Sequence, residues 1–402
     1  MQKILALESL RGIAAFIVVL SHFAYAYYPA MTQGIKHAVS HSHYEWVILQ
    51  TPLNIMINGY FAVLCFFILS GFVLSYGYFA KSIDLVGAAV KRYFRLAPVV
   101  FASVLLSYLL LKLHLYHNDQ VATLANSPWF AQFWGHDPGT LGAIWEGLVG
   151  SFAAVPNESA LNPVLWTIYY ELIGSAIVFA FLALIDNDKR RWFLYILTFI
   201  AFSNTFFLGF IIGVLLCDLY VNKSEYFTFL SKMRTGYKVL LLILAIYLGS
   251  YPAYLVTRAD LGLIHQPLTL FADESLTKNI LYAISSVLFI VLVLTSRRVK
   301  IVFENKLLVK LGSISYSLYA THLLVLGSVG AGIFLLVKPH LSYNLATLVT
   351  LALFIPVTLF VAFVFRRYVD EPSIALSRTI AASMGKGRKK AQAMRESAET
   401  IL

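Results

Sequence analysis

"RRWFLYILTFIAFSNTFFLGFIIGVLLCDLY", residues 190–220, is one charge-poor apolar block with Ser203, Asn204 and Thr205 in its middle. Read as a single long helix, it would leave the downstream charges on the wrong side of a membrane. Read as two short helices joined by a tight turn, it completes a count of ten spans, near 10–30, 53–79, 96–116, 164–185, 192–204, 206–221, 238–256, 279–296, 311–337 and 344–365. With the N-terminus inside, 26 of the 31 basic residues then fall in cytoplasmic segments, as the positive-inside rule requires. Both termini are expected to be cytoplasmic.

The rest of the composition agrees. The chain is 59% hydrophobic and 13% charged, about half the usual charged share, so an all-α polytopic membrane bundle is expected. The first apolar run lacks a small-residue cleavage site and is followed directly by a second span, so it reads as a span rather than a signal peptide. The net charge of +11 is an orientation signal and an attraction to anionic lipid headgroups, not a nucleic-acid footprint. Cys65 and Cys217 sit inside spans, which leaves no disulfide framework. A transmembrane domain is expected over 1–372 and a basic cytoplasmic tail over 373–402. The connection 117–163, aromatic and poor in charge, is expected to pack onto the bundle or the outer interface.

Ionisable side chains within spans are costly and mark candidate sites. "LESLRGIAAFIVVLSHF", residues 7–23, carries Glu8, Arg11 and His22. Eleven residues return a helix to nearly the same face, about 16 Å further along at ~1.5 Å per residue. His322 stands twelve residues past Lys310, so both imidazoles are expected at similar depth. An imidazole there could serve as a general base or could fix packing by hydrogen bonding across helices. Arg92 and Arg95 in "KRYFRLAP" share a helical face, and Pro98 suits the first turn of the third span. The pair would then precede a helix N-terminus, as a phosphate site or as topology anchors. Glu171 could orient a base, bind an acceptor hydroxyl or pair with a cation. Ser70-Gly71 could admit a ligand or another backbone. The two-residue His spacing in "HSHYEW" (41–46) lacks further ligands, and no metal site is expected. No HExxH, P-loop or GxSxG occurs. "NES" at 157–159 matches a glycosylation sequon, a weak signal.

In this order the motifs resemble the membrane-bound acyltransferase-3 family over roughly residues 5–375. The first-span motif brings Arg11 and His22, and "FFILSGFVLS" brings Ser70 and Gly71. R-x-x-R-x-x-P appears as Arg92, Arg95 and Pro98. W-[ST]-x-x-x-E appears as Trp166, Thr167 and Glu171, S-Y-x-x-Y-x-x-H as Tyr316, Tyr319 and His322, and "VDEP" stands at 369–372. Glu8 replaces the common first-span aspartate. About 30 residues follow "VDEP", so the chemistry is expected in the membrane core.

The resemblance implies an acyltransferase of the bacterial inner membrane. It would move an acyl group, often acetyl, from cytoplasmic acyl-CoA (acetyl-CoA for the acetyl group) to a hydroxyl of a surface glycan or glycolipid, with no metal. It implies His22, Glu8 and Glu171 as catalytic. Arg11, Arg92, Arg95, Ser70 and Gly71 would lie on the donor, and Trp166, Tyr316, Tyr319 and His322 would be substrate-side or structural. Membrane lipid, acceptor and coenzyme A thioester are the expected partners, nucleic acid is not, and a homo-oligomer is left open. A small-molecule acceptor such as a macrolide and a transporter using intramembrane ionisable residues are the competing readings.

Overall fold

The computed structural model describes residues 4–34, 38–80, 84–154, 161–185, 191–253 and 261–383. Among these, the regular elements are all helical. The principal helices are α1 (Leu5–Tyr27), α2 (Gly59–Ala80), α3 (Leu85–Lys112), α4 (Pro128–Ala131), α5 (Gly139–Trp145) and α6 (Trp166–Leu184). They are followed by α7 (Arg191–Phe202), α8 (Phe207–Asn222), α9 (Thr235–Gly249), α10 (Glu274–Thr295), α11 (Lys306–Val325) and α12 (Tyr343–Phe365).

The 190–220 block is two helices. α7 stops at Phe202 and α8 begins at Phe207, and in the turn between them the Thr205 N–H donates to Phe202 O at 2.9 Å. Each of the ten expected spans coincides with a helix. By length and composition seven could cross a membrane: α1, α2, α3, α6, α10, α11 and α12. α8 joins them only together with Ser224–Lys232, from which it is bent by 84°. α7 and α9 are shorter apolar helices. The last helix runs through the expected boundary at 372 to Ser383. The sequon 157–159, Lys189, Arg190 and the basic stub past 383 lie outside the described residues.

α1 packs along α11, and α2 along α8. Glycine permits both contacts. A Cβ at Gly312 would stand 2.1 Å from Glu8 O, and one at Gly12 would stand 2.4 Å from Gly312 N, so α1 and α11 touch backbone to backbone. His22 and His322 each lie ten residues past their crossing glycine, which brings the rings to one level. Gly71 plays the same part on α2, where a Cβ would meet Phe210 O of α8 at 2.1 Å.

Of the two placements expected for the long connection, the structure shows packing onto the bundle, along α3. Asp137 pairs with Lys112 at 2.5 Å, and Thr140 bonds Tyr108 at 3.1 Å. Gly147 packs on Phe101, and Leu148 O accepts from Tyr93 Oη at 2.8 Å. From Tyr108 to Tyr93 the helix descends about 22 Å. The chain then returns, with Leu161 O on Ser107 and Asn162 on Ser103. Leu141, Ile144, Trp145, Leu148 and Val149, spaced at helical i, i+3, i+4, i+7 and i+8, stay exposed as a lipid-facing stripe. The stripe explains why the segment could also read as interfacial: these apolar side chains face outward, and its helix is too short to register as a span.

Candidate active site

At the basic end, α1, α2, α3, α6 and α11 enclose a cavity of about 180 Å³. Arg11, Ser70, Arg92, Arg95, Glu171, Tyr316 and Tyr319 line it, so five sequence motifs meet on one surface. Three guanidinium groups face one carboxylate across this lining, an arrangement that favours an anion. The volume suits a narrow chain rather than a whole nucleotide.

Each arginine is fixed by its own partners. Arg92 forms an ion pair with Glu171, and both side chains are largely buried, at 18% and 16% exposure. Its Nε donates to Ser175 Oγ at 3.0 Å, while Ser70 Oγ also donates to Glu171. Of the three roles open to Glu171, the structure displays the cation pair. Arg95 pairs with Asp370 at 2.5 Å, donates to Ser373 Oγ at 3.0 Å and lies 5.3 Å from the centre of the Tyr316 ring. Arg11 lies within electrostatic range of Arg95 and of the Glu8 and Asp370 carboxylates.

The expected helix start is corrected. Asp84 caps α3 by accepting from Val86 N at 3.2 Å, so the helix begins two turns before Arg92. Arg92 and Arg95 therefore lie inside a continuous helix with Pro98 in its interior, and no helix N-terminus adjoins them. Any anion held in this cavity would be held by side chains alone.

Toward the far end, His22 and His322 meet. His22 Nδ1 and His322 Nε2 are 2.7 Å apart, and the ring planes differ by 4° with centroids 5.0 Å apart, so the imidazoles lie side by side. The tautomers follow from their neighbours. His322 Nδ1 faces two carbonyls, Tyr319 O at 2.8 Å and Leu318 O at 3.0 Å, and a carbonyl only accepts. His322 Nδ1 thus carries hydrogen, and its Nε2 accepts from His22 Nδ1–H. The lone pair of a neutral His22 is left on Nε2. His322 is fully buried, His22 only partly, and the His22 ring packs against Trp129 of α4.

Tyr319 separates the two halves. It lines the cavity, and its ring lies 5.9 Å from that of His322. Its hydroxyl donates to Val164 O at 2.7 Å and accepts from Thr167 Oγ1 at 2.9 Å. Neither histidine is part of the cavity lining, and Tyr319 is the lining residue whose ring touches that of His322.

Two expected site residues stand elsewhere. Glu8 lies at the α1–α11 crossing, fourteen residues and about 21 Å of helix from His22, beyond reach of the imidazole. The group that His22 Nδ1 meets is His322. Gly71 faces the α8 backbone rather than the cavity, and Trp166 packs with Tyr60, Tyr170 and Phe206 at the start of α6. Sequence reasoning missed Asp370, Ser373 and Ser175 as arginine holders. The "VDEP" motif displays Asp370 but does not disclose its partner.

No curated protein and no solved structure matches the chain. The family profile described as an acyltransferase domain matches residues 4–367, nearly the whole length. With its apolar helices long enough to span a bilayer, the chain belongs to the acyltransferase-3 family and is a multi-pass membrane acyltransferase.

Proposed function

We propose that the protein transfers an acyl group, acetyl in the first instance, from a cytoplasmic coenzyme A thioester to a hydroxyl of a surface glycan or glycolipid. One observation carries the reading: a cavity lined by three arginines at the basic end leads to the tyrosine beneath a hydrogen-bonded histidine pair. Guanidinium forks match phosphate oxygens. Arg11, Arg92 and Arg95 would hold the nucleotide phosphates at the mouth, and the cavity would take the narrow pantetheine arm. Tyr319 would swing from Val164 and Thr167 to admit the thioester.

His22 would then act at Nε2. It takes the proton of the acceptor hydroxyl as that oxygen bonds to the thioester carbonyl carbon, and returns the proton to sulfur as the carbon–sulfur bond breaks. The charged His22 ring keeps its Nδ1–H bond to the neutral His322 Nε2, which holds the ring in place through both steps. The aspartate of a Ser-His-Asp triad orients its histidine in a similar way.

The test is thioester turnover. Purified protein given acetyl-CoA should release free thiol, slowly with water as acceptor and faster with a carbohydrate alcohol. Passage of a solute across vesicles with no thiol released would favour the transporter reading and overturn this one.

A further inference from the structure

The aromatic wall around His22 is built by a segment outside every motif noted above. His22 contacts Tyr25 of its own helix, with ring centroids 6.5 Å apart, and Trp129, at 5.3 Å and 23° between planes. Tyr25 and Phe133 in turn pack on the indole at 5.1 and 4.8 Å. Tyr25 and Phe133 are buried, whereas Trp129 and His22 keep partial exposure. Within this cluster the accessible surface therefore belongs to the indole and the imidazole. Among the described residues, the rings in contact with His22 are those of Tyr25, Trp129 and His322.

The indole is firmly held. Ser127 caps α4 by accepting from Phe130 N at 3.3 Å, and its hydroxyl donates to Tyr25 O at 2.7 Å, which ties α4 to α1 one turn beyond His22. Asn118 Nδ2 donates to Phe130 O and Phe133 O at 2.9 and 3.0 Å. These bonds hold an aromatic plane against the His22 imidazole without help from the membrane-spanning motifs.

We infer that Trp129 is the acceptor-positioning residue of this site: it covers His22 at the far end and aligns an uncharged cyclic polyol, a sugar ring, with its hydroxyl toward Nε2. This rests on the proposed function. An indole offers a flat apolar face to the C–H face of a ring while the rim hydroxyls remain free. Neutral walls do not select an anionic or cationic acceptor. The same cover limits the access of water to the base.

The test uses full-length protein in detergent and reads carbethoxylation of His22 by diethyl pyrocarbonate, followed by peptide mass spectrometry. Trp129→Ala should raise the His22 labelling rate on the order of tenfold, while Trp129→Phe stays within about threefold of wild type. Methyl α-glucoside should slow labelling in wild type and Trp129→Phe but not in Trp129→Ala, and acyclic glycerol should slow it in none. Labelling of Trp129→Ala at the wild-type rate, or equal protection by glucoside and glycerol, overturns the inference. Thiol release from acetyl-CoA is measured on the same samples. If wild type releases none, the donor reading fails, while the labelling pattern still judges Trp129.

Discussion

Replacing His22 with glutamine should lower acyl transfer by ~10²–10⁴-fold, the range for a lost general base, while coenzyme A binding stays near wild type. Glutamine keeps a donor that can reach His322 Nε2, so the α1–α11 contact survives, but its amide takes no proton at neutral pH. His322→Gln should be milder, a loss on the order of 10–100-fold as for other groups that orient a reacting ligand. A packing role predicts the opposite order. His322 is fully buried and bonded at both nitrogens, so a structural pair would suffer more from its loss than from that of half-buried His22. Stopped assays of transfer and equilibrium binding of coenzyme A on both variants separate the two cases.

The second large effect concerns Arg92. Truncation to alanine leaves the Glu171 carboxylate buried without its cation, and breaking such a pair typically costs about 3–5 kcal/mol. Folded yield should therefore fall together with donor affinity. Neutralising both partners, Arg92→Gln with Glu171→Gln, removes the uncompensated charge and should restore much of the yield. Donor affinity should remain reduced on the order of 10- to 100-fold, the loss expected for a charge-assisted hydrogen bond to phosphate. Arg95→Lys should also fail to restore affinity fully. An ammonium cannot engage Asp370 and Ser373 while lying flat on Tyr316. If the double variant binds coenzyme A as wild type does, Arg92 serves the fold alone.

Position along the helix axes was legible in the sequence; lateral neighbours were less so. Hydropathy marks where each apolar helix begins and ends, so the helical segments, the turn at 203–205 and the shared level of His22 and His322 could be read. Which helices touch depends on side-chain relief. The signal was present in Gly12 and Gly312, each ten residues before its histidine, but equal spacing discloses a contact only once α1 and α11 are known to cross there. The α3 start was misplaced because Pro98 is a strong start signal, whereas the Asp84 cap stands before the interior proline that α3 tolerates. Glu8 was drawn toward catalysis by its place in the first-span motif, though its separation from His22 along one helix already argued against contact. The course of the limb along α3 and the place of Trp129 beside His22 escaped because short amphipathic helices have the composition of an interfacial loop, and packing onto the bundle could be expected without saying where.

The central claim is that donor and acceptor reach the histidine pair from opposite faces. Sealed vesicles holding the protein in one orientation test it most directly, with radiolabelled acetyl-CoA supplied on one face and an impermeant carbohydrate alcohol on the other. Labelled acceptor should form only when acetyl-CoA is on the face bearing Arg92 and Arg95 and the alcohol is on the opposite one. Labelling that requires both on the same face would contradict the claim.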